Sequence, residues 1–150
     1  MRWNRMLQIW SGVLVFLQFS LIFWLLYQGP VLAESIPGIS IQFMGLLLGS
    51  WAIFVMGRKY VKISPLPLEN GKIIQKGPYA VLRNPMYLSI LLWFLPVAIE
   101  YPNWPFIFKL LVLISVLILK TLIEEKTLPK VHKDYDSYSR KTYRIIPWLY

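Results

Sequence analysis

The sequence predicts an all-α integral membrane protein with about four transmembrane helices. Three observations carry that reading. Of its 150 residues 57% are hydrophobic, with a mean hydropathy of +0.52, leaving no room for a second large soluble domain. Apolar runs recur along the chain, each bounded by charged or turn-forming residues. Fifteen of the 16 Lys and Arg residues flank the same ends of those runs.

Taken in order, the first span is expected over about 7–27, roughly 31 Å of helix. Val31-Leu32-Ala33 offers the small residues of a leader-cleavage site. The apolar run before it is longer than a secretory h-region and rich in Phe and Trp, which predicts a retained anchor. The second span is expected over about 39–56. Its Gly45 and Gly49 form a GxxxG pattern, read as close helix packing inside the protein rather than a homodimer contact.

A loop over 57–84 follows, too long for a simple turn. Pro65, Pro67 and Asn70-Gly71 punctuate it, and Lys72-Ile73-Ile74-Gln75 could be extended. A functional loop and a basic tether on anionic headgroups are equally good readings of this segment alone. The third span, about 85–99, starts well, with Asn84 suited to the N-cap and Pro85 to the first helical position. Pro96 should bend or shorten it, and about 14 residues give only roughly 21 Å. Tyr101-Pro102-Asn103-Trp104-Pro105 forms the turn into a fourth span over about 104–123. The C-terminal segment, 124–150, is basic.

The charge distribution predicts the orientation. Arg2 and Arg5, the basic residues of the 57–84 loop and those from Lys120 onwards fall on one side, so both termini are expected in the cytoplasm. Glu34 and Glu100 lie on the other side, with Lys109 near enough to snorkel. The net charge of +9 is thereby read as topology and attraction to anionic lipid, with no nucleic-acid partner. The absence of cysteine excludes disulfides, thiolate metal sites and a cysteine nucleophile, and the lone His132 excludes a multi-histidine metal centre. No metal is expected. The glycines contain no GxG pair, so no Rossmann fingerprint is present.

Two polar clusters flank the hairpin of the last two spans. The first is Gly77-Pro78-Tyr79 followed by Arg83-Asn84-Pro85-Met86-Tyr87; the second is Glu124-Glu125 with Tyr135, Tyr138 and Arg144-Ile145-Ile146-Pro147 behind it. A chain that crosses the bilayer and returns brings both clusters to one boundary, where ionisable groups are costly and suggest a site. Each has an ordinary explanation when taken alone. Lys120 lies one turn before Glu124 and could form an exposed ion pair with it. Arg83 could snorkel to lipid phosphate, and Tyr87 could belong to an interfacial belt. Their joint occurrence favours a site.

Together these segments resemble the isoprenylcysteine carboxyl methyltransferase family, with its bacterial members and the related phospholipid N-methyltransferases. Gly77-Pro78-Tyr79-x3-Arg83-Asn84-Pro85-Met86-Tyr87 is similar to one signature of that family. Glu124-Glu125-x2-Leu128, Tyr135-x2-Tyr138 and Arg144-x2-Pro147 are similar to its C-terminal signature. The likeness spans roughly 72–147.

It implies a membrane methyltransferase in which loop and C-terminal segment enclose S-adenosylmethionine, while a lipophilic or amphiphilic acceptor enters from the bilayer. Its implied location is the plasma membrane, the inner membrane in a bacterium. By the same resemblance Gly77, Pro78, Tyr79, Arg83, Asn84, Pro85, Tyr87, Glu124 and Glu125 line the cofactor site, and Arg144, Tyr138 and Glu125 lie near the reacting groups. The residue types suit that cofactor: carboxylates can receive its ammonium or ribose hydroxyls, and an arginine can clamp its carboxylate.

The chain departs from the family pattern at Gly71 and Asn84, where histidine is frequent, and at Ser89, where glycine is usual. The departures bear on the acceptor, for which the residues do not choose between a carboxylate and an amine. Two other classes compete with this reading: a membrane NADPH-dependent reductase of related architecture, and a non-catalytic membrane scaffold.

Overall fold

The computed structural model describes residues 5–57, 66 and 73–147. Long helices dominate it: α1 (Arg5–Gln28), α2 (Ile36–Met56), α3 (Pro85–Glu100) and α4 (Trp104–Val131), then a short α5 (Tyr135–Ser139). A single 3-10 turn, Gly77–Ala80, precedes α3. Three helices, α1, α2 and α4, are long and apolar enough to cross a membrane, and α3 is a shorter apolar helix. Its 16 residues give about 24 Å, short of the roughly 30 Å of a hydrocarbon core.

The helix starts follow from local chemistry. Ser35 caps α2 by accepting from the Gly38 amide at 3.0 Å, and Asn103 caps α4 by accepting from the Phe106 amide at 3.4 Å. Proline occupies the first turn of α2, α3 and α4, where its missing N–H costs nothing. Pro96 is buried within α3, which continues beyond it to Glu100. The Trp93 carbonyl, in the turn before that proline, accepts from Gln42 Nε2 at 2.9 Å, so a polar side chain of α2 ties into the backbone of α3.

Packing pairs α2 with α3 and α1 with α4, and α3 and α4 close the two pairs into one bundle. A Cβ on Gly45 would stand 2.9 Å from Leu92 Cβ, and one on Gly49 would stand 2.9 Å from Ser89 Oγ. The GxxxG face is therefore an internal contact with α3, as its spacing predicts. The core is a layer of Leu25, Leu91, Phe94, Val97, Phe106, Leu110, Leu113, Leu117 and Ile145, with Phe94 and Phe106 edge to face at 6.5 Å. Outward residues of α1 and α2 such as Phe16, Phe23, Phe43 and Phe54 are exposed and apolar, as a lipid-facing surface requires.

Half of the 57–84 loop falls outside the described residues, including Pro65, Pro67, Asn70-Gly71, Lys59 and the Lys72 start of the expected extended piece. Ile73–Gln75 has no regular structure. At the other boundary α4 does not stop where its apolar run ends; it continues past Glu124-Glu125, through Pro129, to Val131. About 20 residues suffice to cross the hydrocarbon, so the last two turns of α4 stand clear of it and carry the two glutamates.

Candidate active site

Three segments meet at one end of the bundle: residues 77–84, the end of α4, and the C-terminal stretch 135–147. Gly77 begins the assembly with φ +58°, a conformation other residues rarely adopt, and a Cβ there would lie 2.8 Å from Val55 Cγ2 of α2. Pro78 then sets the 3-10 turn, with Leu82 N donating to Pro78 O at 2.9 Å. The chain leaves it as a strand-like strip. Tyr143 N donates to Val81 O at 2.9 Å, Arg83 N to Tyr143 O at 2.7 Å and Asn84 N to Arg144 O at 3.1 Å, around an isolated parallel bridge between Leu82 and Tyr143. The C-terminal stretch is thus stitched by backbone directly to the entrance of α3.

That strip aligns the ionisable groups. Arg83 Nη2 and Arg144 Nε both donate to Glu125 Oε1, at 2.8 and 2.9 Å. Arg83 Nη1 donates to the carbonyls of Ser139 and Thr142 at 2.5 and 2.6 Å. Arg83 Nε is buried and has no hydrogen-bond partner among the described residues. Tyr87 Oη donates to Glu124 Oε1 at 2.8 Å. The side chains of Arg83 and Glu125 are 11% and 16% exposed, whereas Arg144 is 37% exposed and faces the open side of the cluster. Aromatic residues wall it in. Tyr138 Oη donates to the Tyr79 carbonyl at 2.8 Å, and the Tyr135 and Tyr138 rings meet edge on at 6.2 Å. Burial pushes the phenols of Tyr79, Tyr135 and Tyr138 up, the last to about 12, so all three remain proton donors at neutral pH.

Two of the three segments of the cluster lie inside a stretch with a known likeness. A family model described as phospholipid methyltransferase matches residues 33–135. The chain belongs to the phospholipid methyltransferase family. The matched stretch runs from α2 to the start of α5 and contains Gly77, Tyr79, Arg83, Tyr87, Glu124 and Glu125; α1, Tyr138 and Arg144 lie outside it. No curated protein and no solved structure matches the chain significantly. The family is one of membrane methyltransferases, in keeping with the apolar helices.

Seen as a member of the phospholipid methyltransferase family, the chain brings its sequence-predicted residues together with some changes of employment. Asn84 occupies the N-cap position of α3 without capping it; its Nδ2 donates to the Arg144 carbonyl at 3.2 Å and to Thr121 Oγ1 at 3.5 Å. Pro78 and Pro85 are buried and shape the backbone. The Arg83 guanidinium, expected to clamp a ligand carboxylate, directs both terminal nitrogens at its own chain, while its buried Nε has no acceptor among the described residues.

Lys120 departs furthest from the expected exposed pair. It is 1% exposed, and its Nζ donates to Gln18 Oε1 of α1 at 2.5 Å. Gln18 drew no attention in the sequence, although a lone amide deep in an apolar helix is itself a signal of a buried polar partner.

Chemically, the cluster offers cations and carboxylates within reach of one another at a membrane boundary. The bonds to each glutamate described above fall on Oε1. Such a set suits a zwitterionic ligand with both an ammonium and a carboxylate.

Proposed function

We propose that this protein is an S-adenosylmethionine-dependent methyltransferase that acts on an amphiphilic acceptor at the cytoplasmic face of the membrane. The observation that carries the proposal is the buried Arg83 Nε, without a partner among the described residues, beside Glu125 and inside the family-matched stretch. A buried donor left unsatisfied is costly, and an incoming acceptor oxygen repays it. The donor set fits this cofactor: Arg83 would face its carboxylate, and Glu124 and Glu125 its ammonium or ribose hydroxyls. When bound, S-adenosylmethionine supplies an electrophilic methyl group and a sulfur leaving group.

The chain's part is to position, exclude water and handle the proton. Tyr79, Tyr135 and Tyr138 are buried and close the solvent side. Arg144, the most exposed charged group of the cluster, stands where an acceptor headgroup would come. An amine acceptor must lose a proton as it becomes more substituted, and whichever of Glu124 and Glu125 the cofactor leaves free would take it. The family match favours an amine-bearing phospholipid over the carboxylate acceptor of the isoprenylcysteine enzymes. The cytoplasmic, plasma-membrane location rests on the basic residues gathered at this end. It also takes 1–150 as one membrane domain.

Calorimetric titration of the purified protein in detergent with S-adenosylmethionine and its demethylated product tests the cofactor. Saturable binding that weakens in Glu124→Gln supports the proposal; folded protein that binds neither refutes it, and binding of NADPH instead would support the reductase. Transfer of labelled methyl to vesicles with an amine headgroup, and not to a lipidated carboxylate, then tests the acceptor.

A further inference from the structure

The polar pair between α1 and α4 has no part in the cluster just described, yet it touches it. Lys120 stands one turn before Glu124 on α4. A lysine at that depth can ordinarily snorkel towards the boundary. Here its Nζ turns inward instead, onto Gln18 Oε1 of α1, and lies 5.2 Å from the centre of the Tyr87 ring of α3. That ring is the one whose hydroxyl donates to Glu124 Oε1 at 2.8 Å. Both members are buried, Lys120 at 1% and Gln18 at 6% exposure, and Thr121 beside them is fully buried and receives Asn84 Nδ2.

The placement is not a packing accident. α1 and α4 run antiparallel in step: Gly29 lies against Phe106, Gln28 Oε1 accepts from Lys109 Nζ, and Gln18 Oε1 accepts from Lys120 Nζ. The outer lysine, Lys109, lies at the helix end and over the Trp24 ring, where a charge is cheap. The inner one is enclosed at a depth where an ammonium is expensive and is retained for use by default. A cation over a ring face holds the ring by attraction to its electrons, and a cation one turn from a glutamate favours its carboxylate.

We propose that Lys120, fixed by Gln18, is a positioning residue of the active site: it holds Tyr87 and Glu124 in their bonded arrangement and so makes α1 part of the cofactor site. α1 lies outside the family-matched stretch, so this role is a property of this chain's own first helix. The inference rests on the proposed cofactor reading. A merely structural role for the pair makes a contrary prediction, because replacing a buried polar pair by apolar residues of similar volume is neutral or stabilising.

The test titrates S-adenosylmethionine into wild type, Gln18→Leu, Gln18→Glu and the double variant Gln18→Leu/Lys120→Met in detergent, with thermal melting in parallel. The double variant should melt no lower than wild type and bind about tenfold more weakly or worse. Gln18→Leu should weaken binding, and Gln18→Glu, which still offers Lys120 an acceptor oxygen, should restore it. Binding in the double variant equal to wild type overturns the inference while leaving the cofactor reading intact. A wild type that binds nothing overturns the cofactor reading and this inference with it. If the double variant is not recovered folded, Gln18→Leu is decisive: wild-type affinity there overturns the inference.

Discussion

The two ends of the bundle put the same residue type to opposite uses. At one end Glu100 spends its carboxylate on the start of α2, accepting from the Glu34 amide at 2.5 Å, from the Ser35 amide at 3.4 Å and from the Ser35 hydroxyl. At the other, Glu125 accepts from two arginine side chains and Glu124 from a tyrosine, all drawn from segments remote in sequence. A carboxylate at a helix N-terminus explains itself, since the partial positive charge there favours it. A buried glutamate facing two arginines does not, because the desolvation of such a cluster offsets most of its Coulomb gain. Acidity near a membrane boundary therefore says little; the partners of the acid, and a donor left over beside it, distinguish a site from a cap.

The largest break in that contrast should come from Arg83→Ala. It leaves Glu125 with Arg144 alone and releases the carbonyls of Ser139 and Thr142, so both the site and the docking of residues 135–147 suffer. Because Arg144 still pairs with Glu125, the loss should fall below the roughly 3–5 kcal/mol of an uncompensated buried charge. Amide hydrogen exchange should show accelerated exchange over residues 135–147, and S-adenosylmethionine binding should disappear; unchanged exchange would mean that Arg83 does not staple the C-terminal stretch.

Glu124→Gln isolates the site from the fold. The amide keeps the shape and an oxygen for Tyr87, so the melting temperature should barely move while cofactor affinity falls about tenfold, or roughly 1.4 kcal/mol. Glu100→Gln should do the reverse. It weakens the cap on α2 and lowers the melting temperature, with cofactor affinity unchanged. If Glu100→Gln impairs binding as much as Glu124→Gln, the two ends are not separable and the assignment of the site to one of them fails.

Much of the site end was legible in the sequence because covalent rules wrote it there. Asn84-Pro85 dictates a helix start, and a hairpin of apolar spans the meeting of Arg83 with Glu124-Glu125. What escaped notice depends on side-chain direction across helices. The fourfold spacing of Lys120 and Glu124 predicts neighbours on one helix, but gives no hint that α1 buries the lysine and supplies Gln18. The N-cap rule placed Asn84 correctly and mistook its side chain, which serves the C-terminal stretch through Arg144 O and makes no capping bond to α3. Where the apolar run ends, hydropathy marked the edge of the membrane and not the end of α4, since a helix needs no apolar face once it has left the lipid.

The smallest expected effect sharpens the contrast at its finest point. Tyr138→Phe removes one buried hydrogen bond, from Tyr138 Oη to the Tyr79 carbonyl at 2.8 Å, and leaves the ring packing against Tyr135 in place. The loss should cost about 1 kcal/mol. Its pH dependence identifies the bond. Burial raises the Tyr138 phenol from its ordinary 10.0 to about 12, so the contribution of the protonated hydroxyl is complete below pH 10 and lost only as pH rises through about 12. The difference in melting temperature between wild type and Tyr138→Phe should therefore stay constant between about pH 6 and 9. A difference that varies across that range would mean that a titrating neighbour, and not the phenol-to-carbonyl bond, ties the C-terminal stretch to the turn at Tyr79.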